Sequence, residues 1–366
     1  MGGAQRNWTI LLPALAKRGF AARLVTLEEE GEFFAELRRA GVPTICAGMR
    51  TRLDLRALRK AFDLRGWRPQ VVVTHDERSH LVGRALALRH GAPHVASDHG
   101  APGFRLKTHR ELILRLAAPG FTATVTMSGR RVPDLVRRGF PRDRIYVIAN
   151  GVEPAALRPS HSREATRSDL ALPKEAFVAL FLAVLRPEKR ADRFVRAVSQ
   201  ASRVDSRIRG LVVGYGPDES RVRRLAVDSR GAVRVLGHRS DVADLIDAAN
   251  VVCLTSDLEG GPYAAIEAMA LGKPVIAMRV GALDEIVLHG QTGLLVAGPE
   301  ARLADALVDL ARDPARSAVL GTAGRDRQRA HFDARRMSDA YAALLRTVVA
   351  ARSSTLAMAG TATATE

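Results

Sequence analysis

Short apolar runs rich in valine and isoleucine alternate with helical patterns along nearly the whole chain. Runs of this length that are apolar at almost every position are typical of strands buried in a parallel sheet. Because a helical segment follows each run, the sequence predicts repeated βα units and an α/β fold. The predicted strands are residues 22–27, 43–47, 70–74, 93–97, 121–127 and 145–149 in the first half, and residues 177–184, 208–214, 233–236, 251–254, 274–277 and 293–296 in the second.

Residues 153–175 interrupt this alternation. They are polar, contain prolines and show no strand pattern, which is typical of a linker or a long surface loop. We therefore predict an N-terminal domain of residues 1–153 and a second domain of residues 154–333. A last helix is predicted over residues 334–352, and the small, aperiodic residues 353–366 indicate a disordered tail.

Composition narrows the class of protein. A chain of 366 residues is long enough for two domains, and 47% hydrophobic residues exclude general disorder. Cys46 and Cys253 lie far apart in apolar runs, which suits a reducing compartment and predicts neither a disulfide framework nor a metal cluster. No apolar run reaches the roughly 18 residues of a membrane-spanning helix, and no charged leader precedes an apolar core. We therefore expect a cytoplasmic protein.

The formal net charge of +17 is distributed unevenly. Residues 1–150 contain 26 Lys and Arg against 13 Asp and Glu. A basic half of this kind suits binding to an acidic or phosphorylated acceptor, to an anionic membrane or to nucleic acid. The alternative is that the many arginines reflect compositional bias and have no role in binding. Aromatic residues make up only 5% of the chain, and no nucleic-acid recognition motif is evident, so no nucleic-acid partner is expected.

Two carboxylates, Glu259 and Glu267, lie eight residues apart across a Gly-Gly-Pro turn. Pro262 fits the first position of a helix, predicted over residues 263–271, in which Glu267 is the only polar side chain besides the Tyr263 phenol. A helix that is apolar nearly all round is buried, and a buried carboxylate needs a partner. Because helical side chains lean toward the N-terminus, Glu267 is expected to point at the turn, where free N–H groups favour anions. The segment predicts a ligand with hydroxyls and phosphate; a solvated Glu beside a simple turn is the alternative.

The same segment, a Glu, seven residues and a second Glu followed by Ala-Met-Ala and Gly-Lys-Pro-Val, resembles the signature of the retaining glycosyltransferases of family four. The resemblance covers residues 2 to about 345. It implies a GT-B fold of two Rossmann-like domains facing a cleft, with the last helix crossing back to the N-terminal, acceptor-binding domain. It also implies metal-independent transfer of a sugar, with retention and no cofactor, from a nucleotide diphosphate sugar to a hydroxyl of a glycan, lipid-linked or small-molecule acceptor in polysaccharide or glycolipid synthesis.

Three segments of the first half fit this resemblance. Gly2 and Gly3, which open a helix over residues 5–18, resemble the family's glycine loop, where amides meet a phosphate. The family has a strand before this loop and none precedes it here, so we hypothesise that the true start lies upstream. His99, in Ser-Asp-His-Gly, resembles the family's Thr-x-His-Gly segment near the transferred sugar. His75 also follows a strand, and a structural role is the alternative for both histidines.

In the second half, Lys189 matches the lysine that holds the donor's diphosphate in the family, a suitable role for a mobile point charge at a helix start. Many relatives have an arginine where this chain has Val184. Arg186 and Arg190 are the candidates to replace that missing charge.

By resemblance, Glu259 faces the donor sugar and Glu267 binds the ribose hydroxyls, which an ionised carboxylate accepts well. Gly214 and Gly216 resemble a segment in which the backbone passes close to the nucleotide. The further expected donor contacts are Gly260, Gly261, Pro262, Tyr263 and Glu285. The candidate catalytic residues are His99, Glu259 and Lys189, and no metal ligands are expected.

The basic stretch at residues 104–116, in which leucines alternate with arginines, is compatible with two placements. Its apolar positions either pack on the sheet or lie on an anionic membrane, at the inner face of the cell membrane. The expected partners are therefore the nucleotide-sugar donor, a glycan or lipid-linked acceptor and the membrane surface. A nucleotide-sugar epimerase, a pyridoxal-phosphate-dependent phosphorylase and a non-enzymatic basic nucleic-acid binder remain alternatives.

Overall fold

The computed structural model describes residues 3–28, 30–31, 33–51, 54–64, 66–103 and 108–362. The chain forms two compact units, Met1–Asn150 with Ala334–Glu366, and Gly151–Asp333. The sequence predicted divisions after residues 153 and 333, and the first of these lies three residues beyond the division at Asn150. All twelve predicted strands are present, with ends that differ by at most two residues.

The first unit contains two parallel sheets. One pairs β1 with β2, and the other has the order β3-β4-β5-β6. The strands are β1 (Leu24–Thr26), β2 (Thr44–Cys46), β3 (Val72–Thr74), β4 (His94–Asp98), β5 (Ala123–Thr126) and β6 (Ile145–Val147). The helices are α1 (Gly3–Ala16), α2 (Phe33–Arg39), α3 (Leu55–Phe62), α4 (Glu77–His90), α5 (Thr108–Ala117) and α6 (Val132–Arg137).

The second unit is built on one parallel sheet of six strands in the order β12-β11-β10-β7-β8-β9. The strands are β7 (Phe177–Leu182), β8 (Ile208–Val213), β9 (Val233–Gly237), β10 (Val251–Leu254), β11 (Val275–Met278) and β12 (Gly293–Val296). The helices are α7 (Arg163–Asp169), α8 (Ala191–Val204), α9 (Glu219–Asp228), α10 (Val242–Ala248), α11 (Tyr263–Ala270), α12 (Leu283–Ile286), α13 (Glu300–Arg312) and α14 (Pro314–His331).

The strand order of the second unit reverses between β7 and β10. From β7 the chain continues to β8 and β9 on one side, and from β10 it continues to β11 and β12 on the other. Open α/β sheets bind ligands at such a reversal, outside the carboxyl ends of the strands. The loops that follow β7 and β10 are therefore the places to look for a site.

The last helix, α15 (Ala334–Ala362), belongs to the first unit. Its Tyr341, Leu345 and Val348 share a buried core with Leu11 of α1 and with Val95 and Val125 of the central strands. The helix runs ten residues past the predicted end at residue 352. Residues 353–362, predicted to be disordered, are helical here because alanine, leucine and methionine favour a helix.

The predicted linker over residues 153–175 was also wrong in part, since it contains α7. The Ser162 hydroxyl caps this helix by accepting from the Ala165 amide at 3.1 Å. Arg167 then donates to the Ala248 carbonyl at 3.0 Å, at the end of α10. The polar composition that indicated a loop therefore serves helix capping and satisfies carbonyls that α10 leaves without partners.

Two buried histidines flank β3 in the first unit. The Thr74 hydroxyl lies 2.8 Å from His80 Nδ1 and 2.8 Å from His94 Nε2. Phe121 packs edge-to-face on the His80 ring, with centroids 5.0 Å apart, and in a tilted arrangement on the His94 ring, with centroids 4.7 Å apart. Burial lowers the pKa of His80 to about 4 and that of His94 to about 3, so both rings are neutral near pH 7.

Candidate functional site

Lys189 and Glu259 meet where the loops after β7 and β10 lie side by side. Lys189 Nζ is 2.8 Å from Glu259 Oε1, and the Ser256 hydroxyl donates to the same oxygen at 2.5 Å. The Glu259 side chain is only 7% exposed, whereas that of Lys189 is 27% exposed. The pair therefore presents a cation at the surface above a buried carboxylate, at the reversal of the strand order.

Main-chain and side-chain bonds fasten the two loops together. The Thr255 hydroxyl donates to the Arg190 carbonyl at 2.8 Å. The Asp257 amide donates to the Glu188 carbonyl at 2.9 Å. Arg190 itself has a left-handed backbone with φ of +51°, an uncommon conformation that these contacts hold in place. Lys189 thus rises from a rigid turn rather than from a free loop.

Many relatives have an arginine at the position of Val184, and Arg186 and Arg190 are the two residues that could supply its positive charge here. These two arginines differ in their surroundings. Arg190 is held by Asp192 at 3.0 Å and by Asp257 at 3.2 Å, and hydrogen bonds to these carboxylates raise its pKa. Arg186 is exposed. No hydrogen bond or ion pair occupies its guanidinium within the described parts of the chain. Of the two, Arg186 is therefore the one available to an anionic ligand.

The helix α11 carries the second carboxylate. It begins at Tyr263, and Pro262 is the residue before it rather than its first residue as predicted. Seven of its eight residues are buried, including Glu267, which is 6% exposed. Gly260 and Gly261 form the bend that leads into the helix. The predicted burial of the Glu267 carboxylate within an apolar helix is therefore present in the structure.

The loop after β11 closes on the same bend. The Ala282 amide donates to the Glu259 carbonyl at 2.8 Å, and a Cβ on Gly281 would lie 2.0 Å from that carbonyl oxygen. Gly281, with φ of +57°, is therefore required for this approach. Glu285, a predicted donor contact, follows on the short helix α12 and is half-buried.

Close approach of a neighbouring backbone explains why positions 214 and 216 are glycine. Their φ angles are +140° and +155°, and a Cβ would lie 1.8 Å from the Ala183 carbonyl oxygen and 2.5 Å from that of Leu185, respectively. The segment runs directly beside the loop after β7, since the Leu185 amide donates to the Tyr215 carbonyl at 2.9 Å. Close packing of two backbones accounts for both glycines without any ligand.

In the first unit, the predicted histidines come together after β3 and β4. The rings of His75 and His99 have centroids 5.3 Å apart in an edge-to-face arrangement, and Trp8 of α1 lies 6.3 Å from each. His75 Nδ1 is 3.5 Å from Asp76. The sequence predicted His75 and His99 as separate candidates, and it did not predict Trp8.

The loop that carries His99 is held by a buried arginine that the sequence did not indicate. Arg131, 2% exposed, donates from Nε to Asp98 at 3.0 Å and from Nη1 to the Ala101 carbonyl at 3.1 Å. It also donates to Asp134 at 3.1 Å, and Asp134 accepts from the Gly103 amide at 2.6 Å. These contacts hold the described part of the loop after β4, residues 99–103, at Ala101 and at Gly103.

The predicted site residues fall into both units. Gly3, the first residue of α1, and His99 belong to the first unit, whereas the expected donor contacts from Arg186 to Glu285 belong to the second. Gly2 and residues 104–107 of the basic stretch lie outside the described residues, and α5 begins at residue 108.

The described residues offer neither a metal cluster nor a membrane-spanning helix. They contain no group of three or more His, Cys, Asp or Glu side chains arranged to hold a metal ion. Among the helices that the structure describes, none combines the length and the apolar character needed to cross a bilayer.

Comparison with known proteins points to one family. The family model of glycosyl transferases group 1 matches residues 162–327, and that of glycosyltransferase family 4 matches residues 1–156. The D-inositol 3-phosphate glycosyltransferase of Acidothermus cellulolyticus is 31% identical over 318 residues, 79% of this chain and 69% of that protein. The α-maltose-1-phosphate synthase of Mycolicibacterium smegmatis is 27% identical over 70% of this chain and 73% of its own length.

Other relatives match over a shorter part of their length. A D-inositol 3-phosphate glycosyltransferase of Streptomyces avermitilis is 35% identical over 50% of this chain and 42% of its own. Among solved structures, Anabaena Alr3699/HepE in complex with UDP and glucose has a TM-score of 0.85 at 20% identity, over 94% of this chain and 96% of that one. WaaG, a glycosyltransferase involved in lipopolysaccharide biosynthesis, has a TM-score of 0.73 at 17% identity, over 94% and 96%. These structures share the two-domain fold predicted from the sequence.

Proposed function

Since the chain belongs to family 4 of the glycosyltransferases, we propose that it transfers a sugar from a nucleotide diphosphate sugar to an acceptor hydroxyl, with retention of configuration. The observation that carries this proposal is the Lys189 and Glu259 pair at the strand reversal of the second unit. A cation, a buried carboxylate and a helix start are the groups needed for a diphosphate joined to a sugar.

The expected roles follow from charge. Transfer breaks the bond between the anomeric carbon and the diphosphate, so negative charge develops on the leaving phosphate. The ammonium of Lys189, the exposed guanidinium of Arg186 and the amides at the start of α11 stabilise that charge. We propose that these groups act without a metal ion. The acceptor oxygen bonds to the same face of the sugar, and its proton passes to the leaving phosphate.

The two carboxylates are assigned to the hydroxyls of the donor. Glu267 accepts hydrogen bonds from the ribose, and Glu259 faces the sugar. Because Lys189 pairs with Glu259, binding of the diphosphate to the lysine changes the charge balance around the carboxylate that faces the sugar.

A phosphate-bearing acceptor is favoured by the charge of the first unit and by the relatives. Residues 1–150 contain 26 basic and 13 acidic side chains. The names of two relatives include inositol 3-phosphate and maltose-1-phosphate. We therefore propose a phosphorylated polyol or glycan, free or lipid-linked, as the acceptor class.

Membrane contact at the cytoplasmic face is part of the proposal. The helices α4 and α5 pack together and expose leucines: Leu81, Leu88, Leu112 and Leu116. Arg115 is exposed beside the last of these. Leucines next to arginine suit the surface of an anionic bilayer. Sedimentation with phosphatidylglycerol vesicles tests this membrane binding, and the native protein is expected to sediment with them. A Leu112→Asp/Leu116→Asp variant that sediments equally well contradicts the proposed membrane contact.

The experiment that tests the proposed reaction is a screen of the full chain against nucleotide sugars. A thermal shift identifies the donor, and release of nucleoside diphosphate with each acceptor measures transfer. NMR of the product determines the anomeric configuration. Turnover that persists in the presence of a chelator supports a reaction without a metal ion. Conversion of the donor to its epimer indicates an epimerase, absorbance of a bound pyridoxal phosphate indicates a phosphorylase, and salt-sensitive DNA binding without turnover indicates a nucleic-acid binder.

A further inference from the structure

A chain of three side chains reaches His99 from the last helix. Ser97, in β4, lies 3.1 Å from the His99 Nε2 atom and 3.1 Å from the Tyr341 hydroxyl. Ser97 is fully buried and Tyr341, on α15, is 1% exposed. Water therefore does not complete the hydrogen bonding of either hydroxyl, and the protons have to be shared within the chain.

The direction of these hydrogen bonds follows from counting protons. Burial raises the pKa of Tyr341 to about 12, so its hydroxyl keeps its proton, and Ser97 is its only hydrogen-bond partner in the described parts of the chain. Tyr341 therefore donates to Ser97. Ser97 then donates its own hydroxyl proton in a hydrogen bond to His99 Nε2, which acts as the acceptor. The opposite direction leaves the Tyr341 proton without an acceptor in the core. If His99 Nε2–H and Tyr341 both donated to Ser97, the Ser97 proton would lack an acceptor within the described parts of the chain, and both arrangements are unfavourable.

A neutral imidazole that accepts at Nε2 carries its proton at Nδ1. The ring stays neutral near pH 7, because desolvation and the neighbouring His75 lower the pKa of His99 to about 3 against the opposing effect of Asp98. The charged or titratable groups around it are His75, with Asp76 beside that ring, Asp98 in its own loop, and Tyr341 through Ser97.

We infer that Ser97 and Tyr341 are positioning residues that fix His99 as the Nδ1–H tautomer, so that His99 donates a hydrogen bond to a substrate oxygen instead of acting as a general base. This inference rests on the proposed sugar transfer for its substrate, a sugar hydroxyl or ether oxygen. It assigns a task to α15, a helix that contributes no residue to the predicted site.

The tautomer is tested without substrate. In full-length protein labelled with ¹⁵N-histidine, the ring nitrogens of His99, identified by the signal missing in His99→Asn, are expected to show a proton on Nδ1 from pH 5.5 to 8. Ser97→Ala and Tyr341→Phe are expected to populate the Nε2–H form. Leu345→Met, in the same core as Tyr341, is the packing control and should give the native spectrum. Protonation at Nε2 in the native protein, or an unchanged spectrum in Ser97→Ala, overturns the inference.

Turnover tests the consequence. The amide nitrogen of asparagine takes the place of Nδ1 of histidine, whereas that of glutamine takes the place of Nε2. His99→Asn is therefore expected to retain at least tenfold more kcat than His99→Gln, with similar donor KM. Equal losses in both variants contradict the role as a donor. If no nucleotide sugar is turned over at all, the proposed reaction fails while the spectrum still decides the tautomer.

Discussion

Lys189 and Glu259 form a 2.8 Å ion pair that joins the loop after β7 to the loop after β10. If Lys189 stabilises the leaving diphosphate, Lys189→Ala should lower kcat at least tenfold, about 1.4 kcal/mol in the activation free energy. Steady-state release of nucleoside diphosphate measures this. Lys174→Ala removes the same charge from an exposed position of the same unit and should be neutral. Native kinetics in Lys189→Ala would remove the proposed diphosphate site.

Glu267 is assigned to the ribose hydroxyls, and a deoxynucleotide tests this directly. The native protein is expected to bind a ribonucleoside diphosphate roughly tenfold more tightly than its 2′-deoxy analogue, about 1.4 kcal/mol. In Glu267→Ala this ratio should fall toward one, because the partner of the hydroxyl is gone. Isothermal titration measures both affinities, and Glu175→Ala, an exposed carboxylate, is the control. A ratio that survives in Glu267→Ala places the ribose elsewhere.

Arg131 is expected to be the most costly arginine to replace around the His99 loop. Its side chain is 3% exposed and pairs with Asp98 and Asp134, so Arg131→Met leaves two partly buried carboxylates without it. We expect a loss of about 3–5 kcal/mol in the free energy of unfolding, measured by urea denaturation. Arg137 also pairs with Asp134 but is 69% exposed, and Arg137→Met should cost below about 1 kcal/mol. Equal losses of unfolding free energy in Arg131→Met and Arg137→Met would show that burial of the arginine does not determine the cost of removing it.

Gly214 provides a steric prediction. Gly214→Ala should cost at least about 3 kcal/mol of stability, since the new methyl group meets the Ala183 carbonyl and the φ of +140° is strained. Gly231, with φ of +83°, has open space around its Cβ position, so Gly231→Ala should cost about 1–2 kcal/mol, from strain alone. Thermal unfolding without nucleotide compares the two. A Gly214→Ala protein that is stable but fails to bind donor would restore the role expected from the sequence.

Acid should destabilise the first unit through His80 and His94. Their pKa values of about 4 and about 3 lie below the ordinary value of 6.5, so the unfolded chain binds these protons more readily. Their effect is absent above pH 6.5, and stability falls as the pH decreases toward the folded pKa values, by roughly 1.4 kcal/mol per pH unit for each histidine.

His94→Gln tests this because it keeps a polar group near the Thr74 hydroxyl and cannot titrate. Urea unfolding at pH 7.5, 5.5 and 4.5 should show a shallower decline than in the native protein. Parallel declines would contradict the assignment.

The sequence predicted all twelve strands because each is a short apolar run, and burial in a parallel sheet produces that pattern directly. It predicted the burial of Glu267 for a similar reason, since the helix around it is apolar. The pairing of Lys189 with Glu259 was not foreseen. Seventy positions separate these residues, and the strand order that brings them together is not visible in local periodicity.

Other residues escaped prediction because their role depends on contacts alone. Arg131 stands beside Arg130 in the sequence, and nothing in the pattern distinguishes the buried arginine from its neighbour. Tyr341 occupies a helical core position, and the apolar pattern around it would be the same for any large hydrophobic side chain, so the pattern does not indicate the hydrogen bond from its hydroxyl to Ser97. The glycines at positions 214 and 216 suggested a ligand, whereas the adjacent backbone is sufficient to require them.

The membership of α15 in the first unit has a consequence for synthesis on the ribosome. The core of that unit joins Leu11 and Leu15 to Tyr341, Leu345 and Val348, the two ends of the described chain. The second unit is continuous from Gly151 to Asp333 and contains all of its own core strands. During translation the second unit can therefore complete its fold before α15 emerges, and the core of the first unit is completed only after that.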